Sequence, residues 1–470
     1  MRPFEIVIPI LLAIYLFWPN PRPLLIRLAP AFALAATLIH FTFEGYRWQM
    51  IPLYVLSPIL AASGLIKFTK VDSPSFSSVW KERIGRGLTL GLLAVSTVIP
   101  ALLPVPQIPT PSGSLKIGTV IYEFTDTSRT ELYSDDKSEP RRFMVQAWYP
   151  ATPQKSDQRA QWMSNAETFA PAISGYLNLP SFFLDHLALV NVPAYENAQA
   201  AKTDTGYPII VFSHGWNGFN AQNTGQALEL ASRGYVVIAV QHTYGAVVTV
   251  FPDGTVAPNN PQALPEDAND PNYEVVARKL VNQWAGDISF TLDQFAGQNQ
   301  DSESIFFQTL DLSRVGVYGH STGGGAAIQF CGTDPRCKTI LGMDPFMRPV
   351  SEEVLQNGLS QPSFFMFSQG WADVTDSKNN QLFNQFQPNL GDNRGIIVIS
   401  GTKHFDFSDL PLLSPIAPQL GLKGPLNGGR VVEIVNSYLL GFFEMTLKNQ
   451  PSELFNGNFA DFNEVKDRNQ

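Results

Sequence analysis

The segment Gly319-His320-Ser321-Thr322-Gly323 has the G-x-S-x-G pattern of a serine nucleophile on a sharp turn. A strand-like run at 315–318 precedes it, and further glycines that open a helical pattern follow it. A turn from strand to helix raises a serine hydroxyl above the edge of a sheet, and the flanking glycines avoid steric collision there. The pattern therefore predicts that Ser321 is the nucleophile of an acyl-transfer reaction.

A serine nucleophile needs a base, which is almost always a histidine. The chain has six histidines. Five of them stand in an apolar N-terminal segment, in a predicted cap, before the nucleophile or directly beside it: His40, His186, His214, His242 and His320. The sixth, His404, follows the last predicted strand, where the chain order serine, acid, histidine places the base. We therefore expect His404 to be the base.

Two carboxylates are placed to orient the imidazole of His404. Asp344 directly follows the predicted strand 339–343, and Asp373 follows the next predicted strand. Each also has a purely structural alternative, because Asp344 could cap the turn at Pro345 and Asp373 could cap the helix ahead of it. Position alone leaves this choice open.

The negative oxygen of a tetrahedral intermediate needs two backbone N–H donors. The residue after the nucleophile, Thr322, supplies one. We expect Trp216 to supply the other, because it lies in a glycine-containing turn after the buried strand predicted at 207–212. The neighbouring His214 is interpreted as a hydrogen-bond donor that braces this turn.

Elements that could position these residues begin near residue 116, where strand-like runs start to alternate with helical patterns. This alternation predicts a mostly parallel central sheet covered by helices. Together with the serine motif on its strand-to-helix turn, it is typical of an α/β-hydrolase fold. The alternation of strand-like and helical patterns is interrupted at 155–200, which we interpret as an inserted helical cap. The predicted catalytic domain spans 111–450, and a polar C-terminal tail follows at 451–470.

The N-terminal region, residues 1–110, contains four apolar stretches at about 4–18, 28–43, 48–66 and 87–103. They predict about four membrane helices, although the first two are short for a crossing; buried helices of a soluble domain are the alternative. A cleaved signal peptide fits poorly, since further apolar segments follow at once. The basic residues are concentrated in the first and third loops: Arg22, Arg27, Lys67, Lys70, Lys81, Arg83 and Arg86. Because basic loops stay cytoplasmic, four spans place the catalytic domain outside the cytoplasm and an odd number reverses this.

Charge and cysteine content exclude several classes of partner. The net charge is −9; because residues 1–110 hold nine Lys/Arg and four Asp/Glu, the remainder is strongly acidic and unsuited to nucleic acid. Cys331 and Cys337 are the only cysteines, which excludes a disulfide scaffold and a cysteine-rich metal site. A local disulfide and two buried thiols both remain open. We expect no cofactor and no metal.

Several segments resemble the plasma-type (isoform II) platelet-activating-factor acetylhydrolase family. The matching stretches are 142–150, 211–215, 319–324, 341–347 and 404–409, so the resemblance covers most of 117–450 and leaves the N-terminal region outside. In that family the acid follows the nucleophile helix by one strand, which implies Asp344. Bacterial cutinase-like polyester hydrolases share a similar Gly-His-Ser-x-Gly-Gly-Gly run but take their acid one strand later, which favours Asp373.

The resemblance implies a metal-independent serine esterase or lipase that acts on short or oxidised acyl chains of phospholipids, or on related esters. A broad carboxylesterase or polyester hydrolase is the main alternative, since it would use the same residues with a different pocket. A non-catalytic, membrane-anchored receptor on the same fold and a transporter-like membrane protein are further alternatives. The expected partners are an ester or phospholipid substrate and a membrane.

Overall fold

The computed structural model describes residues 1–69, 79–455 and 462–468. They form two compact units. The helical unit comprises Met1–Pro106, Asp185–Val190 and Leu413–Ile416, and the sheet unit comprises the rest. The boundary predicted near residue 110 therefore lies close to the structural one, but two short internal segments of the predicted catalytic domain belong to the helical unit.

Four N-terminal helices are followed, from residue 117 onward, by strands that alternate with helices. The helices are α1 Pro3–Phe17, α2 Leu24–Phe43, α3 Ile51–Thr69, α4 Val79–Leu102, α5 Ala166–Tyr176, α6 Thr224–Ser232, α7 Tyr273–Gln300, α8 Thr322–Thr333, α9 Glu352–Asn357, α10 Gln369–Ala372, α11 Lys378–Phe386 and α12 Gly428–Lys448. The strands are β1 Ile117–Thr130, β2 Pro140–Pro150, β3 Arg159–Gln161, β4 Asn191–Glu196, β5 Tyr207–Ser213, β6 Val236–Gln241, β7 Val248–Val250, β8 Val256–Pro258, β9 Leu310–His320, β10 Thr339–Met343, β11 Leu359–Ser368, β12 Leu390–Ile399 and β13 Val465–Asp467.

The central sheet of the described residues has the strand order β13-β12-β11-β10-β9-β5-β6-β2-β1-β4-β3. Strands β12, β11, β10, β9, β5 and β6 are mutually parallel, whereas β2 is antiparallel to both of its neighbours. Strands β5, β6 and β10 are buried at almost every position, as expected for parallel strands with both faces covered. The predicted α/β class with a mostly parallel sheet is confirmed.

The segment predicted as a helical cap at 155–200 is only partly helical. It contains α5, but β4 pairs parallel with β1 and β3 pairs antiparallel with β4, so the insertion also extends the sheet. Val192 and Ala194 are buried while their neighbours are exposed or half-buried, which is the period of a strand. The predicted helical cap at 155–200 is therefore corrected: α5 is helical, but the segment also contains β3 and β4, which are too short to show a clear alternation in the sequence.

The predicted polar tail also differs from the structure. Residues Val465–Asp467 form β13, which pairs antiparallel with β12 at the edge of the sheet. Residues 456–461 and 469–470 of the predicted tail lie outside the described residues.

Two helices of the helical unit, Leu24–Phe43 and Trp48–Ile66, are long and apolar enough to cross a membrane. Two others, Pro3–Phe17 and Gly87–Leu102, are apolar but shorter. The four apolar stretches of the sequence are therefore four helices, but only two satisfy the length criterion among the residues described. Lys70, which belongs to the predicted basic third loop, lies outside the described residues.

Candidate active site

The turn between β9 and α8 holds Ser321 in a strained backbone conformation. Its φ is 56° and its ψ is −120°, a combination that non-glycine residues seldom adopt. A Cβ on Gly319 would lie 2.2 Å from the carbonyl oxygen of Gly323, and a Cβ on Gly323 would lie 2.1 Å from that of Ser213. Only glycine fits at these two positions, as the motif predicts.

The structure brings His404 and Asp344 together. His404 Nδ1 lies 3.0 Å from Asp344 Oδ2, and the Asp344 side chain is fully buried directly after β10. Asp373 is exposed and directly follows α10. Of the two carboxylates that position alone could not separate, Asp344 is the one in contact with the imidazole.

Ser368, at the end of β11, anchors Asp344 and was not predicted. Its Oγ donates to Asp344 Oδ2 at 2.6 Å, and its backbone N–H donates to Oδ1 at 2.8 Å. Burial raises the pKa of Asp344 to about 7, and the hydrogen bonds from Ser368 oppose that rise. The contact of Ser368 with Asp344 arises from the parallel register of β10 and β11, which places the end of β11 beside the residue that follows β10 and which the sequence alone does not give.

The imidazole of His404 packs between two rings. The Trp371 ring stacks on it at 4.3 Å and 14°, and the His320 ring lies 4.4 Å away. Burial lowers the pKa of His404 to about 3, which favours the neutral form that a base requires. His320 Nε2 also donates to the carbonyl oxygen of His404 at 2.9 Å. These contacts of Trp371 and His320 were not predicted.

Acidic residues after His404 fix the loop that carries it. Asp406 Oδ2 accepts from the backbone N–H of Lys403 at 2.7 Å and of Gly424 at 2.6 Å. The carboxylate of Asp409 accepts from the backbone N–H of Gly225 at 3.2 Å, in the first turn of α6. Both carboxylates are buried, and their hydrogen bonds attach the loop to the backbone at Gly424 and at the start of α6.

The turn that follows β5 lies against Ser321. A Cβ on Gly215 would lie 3.2 Å from the Cβ of Ser321, and Gly218 N–H donates to the carbonyl oxygen of Gly215 at 2.9 Å. His214 Nδ1 donates to the same oxygen at 2.7 Å. The structure thus places the turn that contains Trp216 next to Ser321, with His214 in the bracing contact predicted for it.

Cys331 and Cys337 form a disulfide with a Cα–Cα distance of 5.1 Å. It joins the end of α8 to the loop before β10, the strand that Asp344 follows. The choice left open by the sequence is therefore settled in favour of the disulfide. Within the described residues, no three His, Cys, Asp or Glu side chains are grouped so that they could hold a metal ion.

Comparison with known proteins places the chain in a family. Residues 103–460 match the family model "Platelet-activating factor acetylhydrolase, isoform II". A platelet-activating factor acetylhydrolase of Cavia porcellus is 28% identical in an alignment of 419 positions that covers 84% of this chain and 88% of that protein. A probable 1-alkyl-2-acetylglycerophosphocholine esterase of Arthroderma benhamiae is 24% identical and covers 79% of this chain and 95% of its own length.

A solved structure supports the fold independently. The ferulic acid esterase from Streptomyces cinnamoneus superposes with a TM-score of 0.63 at 23% identity, over 77% of this chain and 99% of that chain. At this identity the likeness concerns the fold alone. The family match covers more than half of the chain and includes the strained serine, the paired His404 and Asp344, and the turn after β5. The chain therefore belongs to the platelet-activating factor acetylhydrolase, isoform II, family of carboxylic ester hydrolases.

Proposed function

We propose that this protein, with an α/β-hydrolase fold in its sheet unit, hydrolyses carboxylic esters through an acyl-enzyme on Ser321, with His404 as the base and Asp344 as the carboxylate that orients it. The observation that carries this proposal is the 3.0 Å contact between His404 Nδ1 and Asp344 Oδ2. Because Nδ1 faces the carboxylate, Nε2 is left to accept the proton of the serine. The strained turn at Ser321 supports the same assignment, since such strain is concentrated at functional sites.

The reaction has two halves in this proposal. His404 Nε2 removes the proton of Ser321 as Oγ attacks the acyl carbon, and it then gives that proton to the departing alcohol. Water is next deprotonated by the same nitrogen and attacks the acyl-enzyme, which releases the carboxylic acid and restores the serine. The backbone N–H groups of Thr322 and Trp216 hold the oxyanion in both halves. None of these steps requires a metal or a cofactor.

The proposed substrates are esters of short or oxidised acyl chains on a glycerophospholipid, or related small esters. The names of the relatives in guinea pig and in Arthroderma support this class. A broad carboxylesterase would use the same residues with a less selective pocket. Hydrolysis rates for a series of phosphatidylcholines with acyl chains of increasing length at the sn-2 position separate the two, because only the first predicts a steep decline beyond a few carbons.

We further propose that the helical unit anchors the protein in a membrane. The side chain of Arg47 donates to Glu5 at 2.6 Å and to the carbonyl oxygen of Leu103, and the side chain of Arg2 donates to the carbonyl oxygen of Glu44. The start of α1, the end of α2 and the end of α4 therefore meet at one end of the bundle. If α1 to α4 all cross, the N-terminus and the sheet unit share one side of the membrane.

That side is the extracytoplasmic one in our proposal. The loop after α1 contains Arg22 and lies at the opposite end of the bundle, where basic residues favour the cytoplasm. The disulfide between Cys331 and Cys337 supports the same orientation, because disulfides persist in oxidising compartments.

Labelling with a fluorophosphonate tests the enzymatic proposal. The full chain in detergent should be labelled and should hydrolyse p-nitrophenyl acetate, and Ser321→Ala should lose both. Ser363→Ala is a matched control, because Ser363 is a buried serine on β11 whose hydroxyl contacts only the carbonyl oxygen of Asp392 among the hydrogen bonds described. Labelling and hydrolysis that survive Ser321→Ala would contradict the proposal.

A further inference from the structure

A second Ser-His-Asp arrangement lies beneath the turn after β5. Asp287 Oδ2 lies 2.9 Å from His242 Nδ1, and His242 Nε2 lies 2.9 Å from the Oγ of Ser213. Asp287 belongs to α7, His242 follows β6 directly, and Ser213 ends β5. All three side chains are fully buried, so no substrate can reach them and they do not form a second active site.

The charges around Asp287 keep its carboxylate ionised. Arg141 donates to it twice, at 3.0 and 2.6 Å, and Arg129 donates to it at 2.9 Å. Despite burial, these cations hold the pKa of Asp287 well below its usual range. Because an ionised carboxylate only accepts hydrogen bonds, His242 Nδ1 must be the donor.

The neutral state of the His242 ring then determines which group donates in its hydrogen bond with Ser213. Burial lowers the pKa of His242, so the ring is neutral and its Nε2 is an acceptor. The hydroxyl of Ser213 must therefore donate to Nε2. The backbone N–H of His242 donates to His214 Nε2 at 3.1 Å, while His214 Nδ1 donates to the carbonyl oxygen of Gly215. Every ring nitrogen has one defined role.

This chain of hydrogen bonds ends at the carbonyl oxygen of Gly215, in the turn that lies against Ser321. The carbonyl oxygens of Ser213 and His214 lie so close to Gly323 that a Cβ there would be 2.1 and 2.4 Å from them. Gly215, whose carbonyl oxygen is the final acceptor, lies against Ser321. A displacement of Ser213 or His214 would therefore move the turn relative to the serine.

We propose that Asp287, His242 and Ser213 are positioning residues that hold the turn with the Trp216 N–H at the distance that the oxyanion requires. The inference rests on the proposed function, because it assigns Ser321 as the nucleophile and Trp216 as a donor. The oxyanion exists only in the tetrahedral states, so loss of this support lowers kcat and leaves KM unchanged. A contribution to folding alone would lower the Tm and leave kcat per active site unchanged.

Ser213→Ala tests this inference, because it removes one hydroxyl and leaves His242 Nε2 without its donor. We expect kcat for p-nitrophenyl acetate, per site titrated with fluorophosphonate, to fall about 10-fold to 100-fold, with KM within about 2-fold of the wild type. The affinity for a trifluoromethyl ketone, which forms an oxyanion adduct with a serine, should fall by the same factor as kcat/KM. Ser363→Ala, the matched buried control, should leave all three quantities unchanged.

The outcomes separate the two proposals. A wild-type kcat in Ser213→Ala, with or without a lower Tm, would overturn the positioning role while the function of Ser321 stands. If the Ser321→Ala variant retained the turnover of the wild type, the proposed function would be overturned and this inference with it. Should Ser213→Ala not fold, Ser213→Cys retains a side-chain donor, although a weaker one. A lower kcat at constant KM supports the inference, and an unchanged kcat contradicts it.

Discussion

His320 Nε2 donates to the carbonyl oxygen of His404 at 2.9 Å, so the residue beside the proposed nucleophile holds the loop of the proposed base. Burial lowers the pKa of His320 to about 3, and the neutral ring therefore has one N–H, which this contact places on Nε2. A side chain that belongs to the serine motif thus holds the residue that we propose accepts the proton of that serine.

Removing this donor should lower turnover. We expect His320→Leu to lower kcat by about 10-fold to 100-fold, because a small misplacement of a base has effects of this size. His320→Gln retains an amide N–H and should keep most of the activity. Steady-state kinetics on both variants, with the Tm of each, is the measurement. Equal kcat values for the Leu and Gln variants would show that the hydrogen bond from residue 320 to His404 does not contribute to turnover.

The assignment of the acid makes the second prediction. Asp344→Asn should lower kcat by about 10⁴-fold, since the amide favours the wrong tautomer of His404. Asp373→Asn should change kcat by less than about 2-fold, because Asp373 is exposed. Kinetics on the two variants decides between the carboxylates. If Asp373→Asn lowered kcat far more than Asp344→Asn, Asp373 would be the carboxylate that orients His404.

The sequence identifies the proposed catalytic residues more readily than the residues that contact and support them. Ser321 and His404 follow from a local motif and from elimination among six histidines, which require no knowledge of contacts. The sequence could not show Ser368 as the partner of Asp344, because the contact depends on the parallel register of β10 and β11. The strand β4 escaped prediction for a similar reason, since its pairing with β1 joins residues that are 77 positions apart, such as Ile117 and Ala194.

Asp409 should make stability depend on pH. Burial raises its pKa from 3.8 to about 7, against the hydrogen bond from Gly225 that lowers it. Between these values the folded state binds a proton that the unfolded state has released, so this group makes the fold less stable as pH rises from about 4 to 7. Asp409→Asn has no such proton, and its stability relative to the wild type should therefore increase over this range by about 1 to 4 kcal/mol.

Urea unfolding of the full chain in detergent, followed by near-ultraviolet circular dichroism, measures this difference at each pH. The comparison between the two proteins cancels the contributions of Asp344 and Asp406, whose pKa values burial also raises. If the difference in free energy of unfolding between the two proteins stayed constant from pH 4 to pH 8, Asp409 would have an ordinary pKa in the folded state.

The disulfide should contribute to stability more than to catalysis. Cys331 and Cys337 close a short loop, and the loss of chain entropy in the unfolded state amounts to about 2 kcal/mol for a loop of this length. The double variant Cys331→Ser/Cys337→Ser should lose about this much free energy of unfolding and keep its kcat. A large fall in kcat at unchanged stability would instead give the disulfide a role in positioning α8.

The orientation in the membrane can be tested with the chemistry of the site itself. In right-side-out vesicles, a fluorophosphonate that cannot cross the bilayer should label Ser321 as fully as it does after permeabilisation with detergent, because the sheet unit faces outward in our proposal. In inside-out vesicles the same probe should label only after permeabilisation. Ser321→Ala controls for other serine hydrolases. Labelling restricted to inside-out vesicles would reverse the orientation and imply an odd number of crossings. Release of the protein by alkaline carbonate would contradict the membrane anchor.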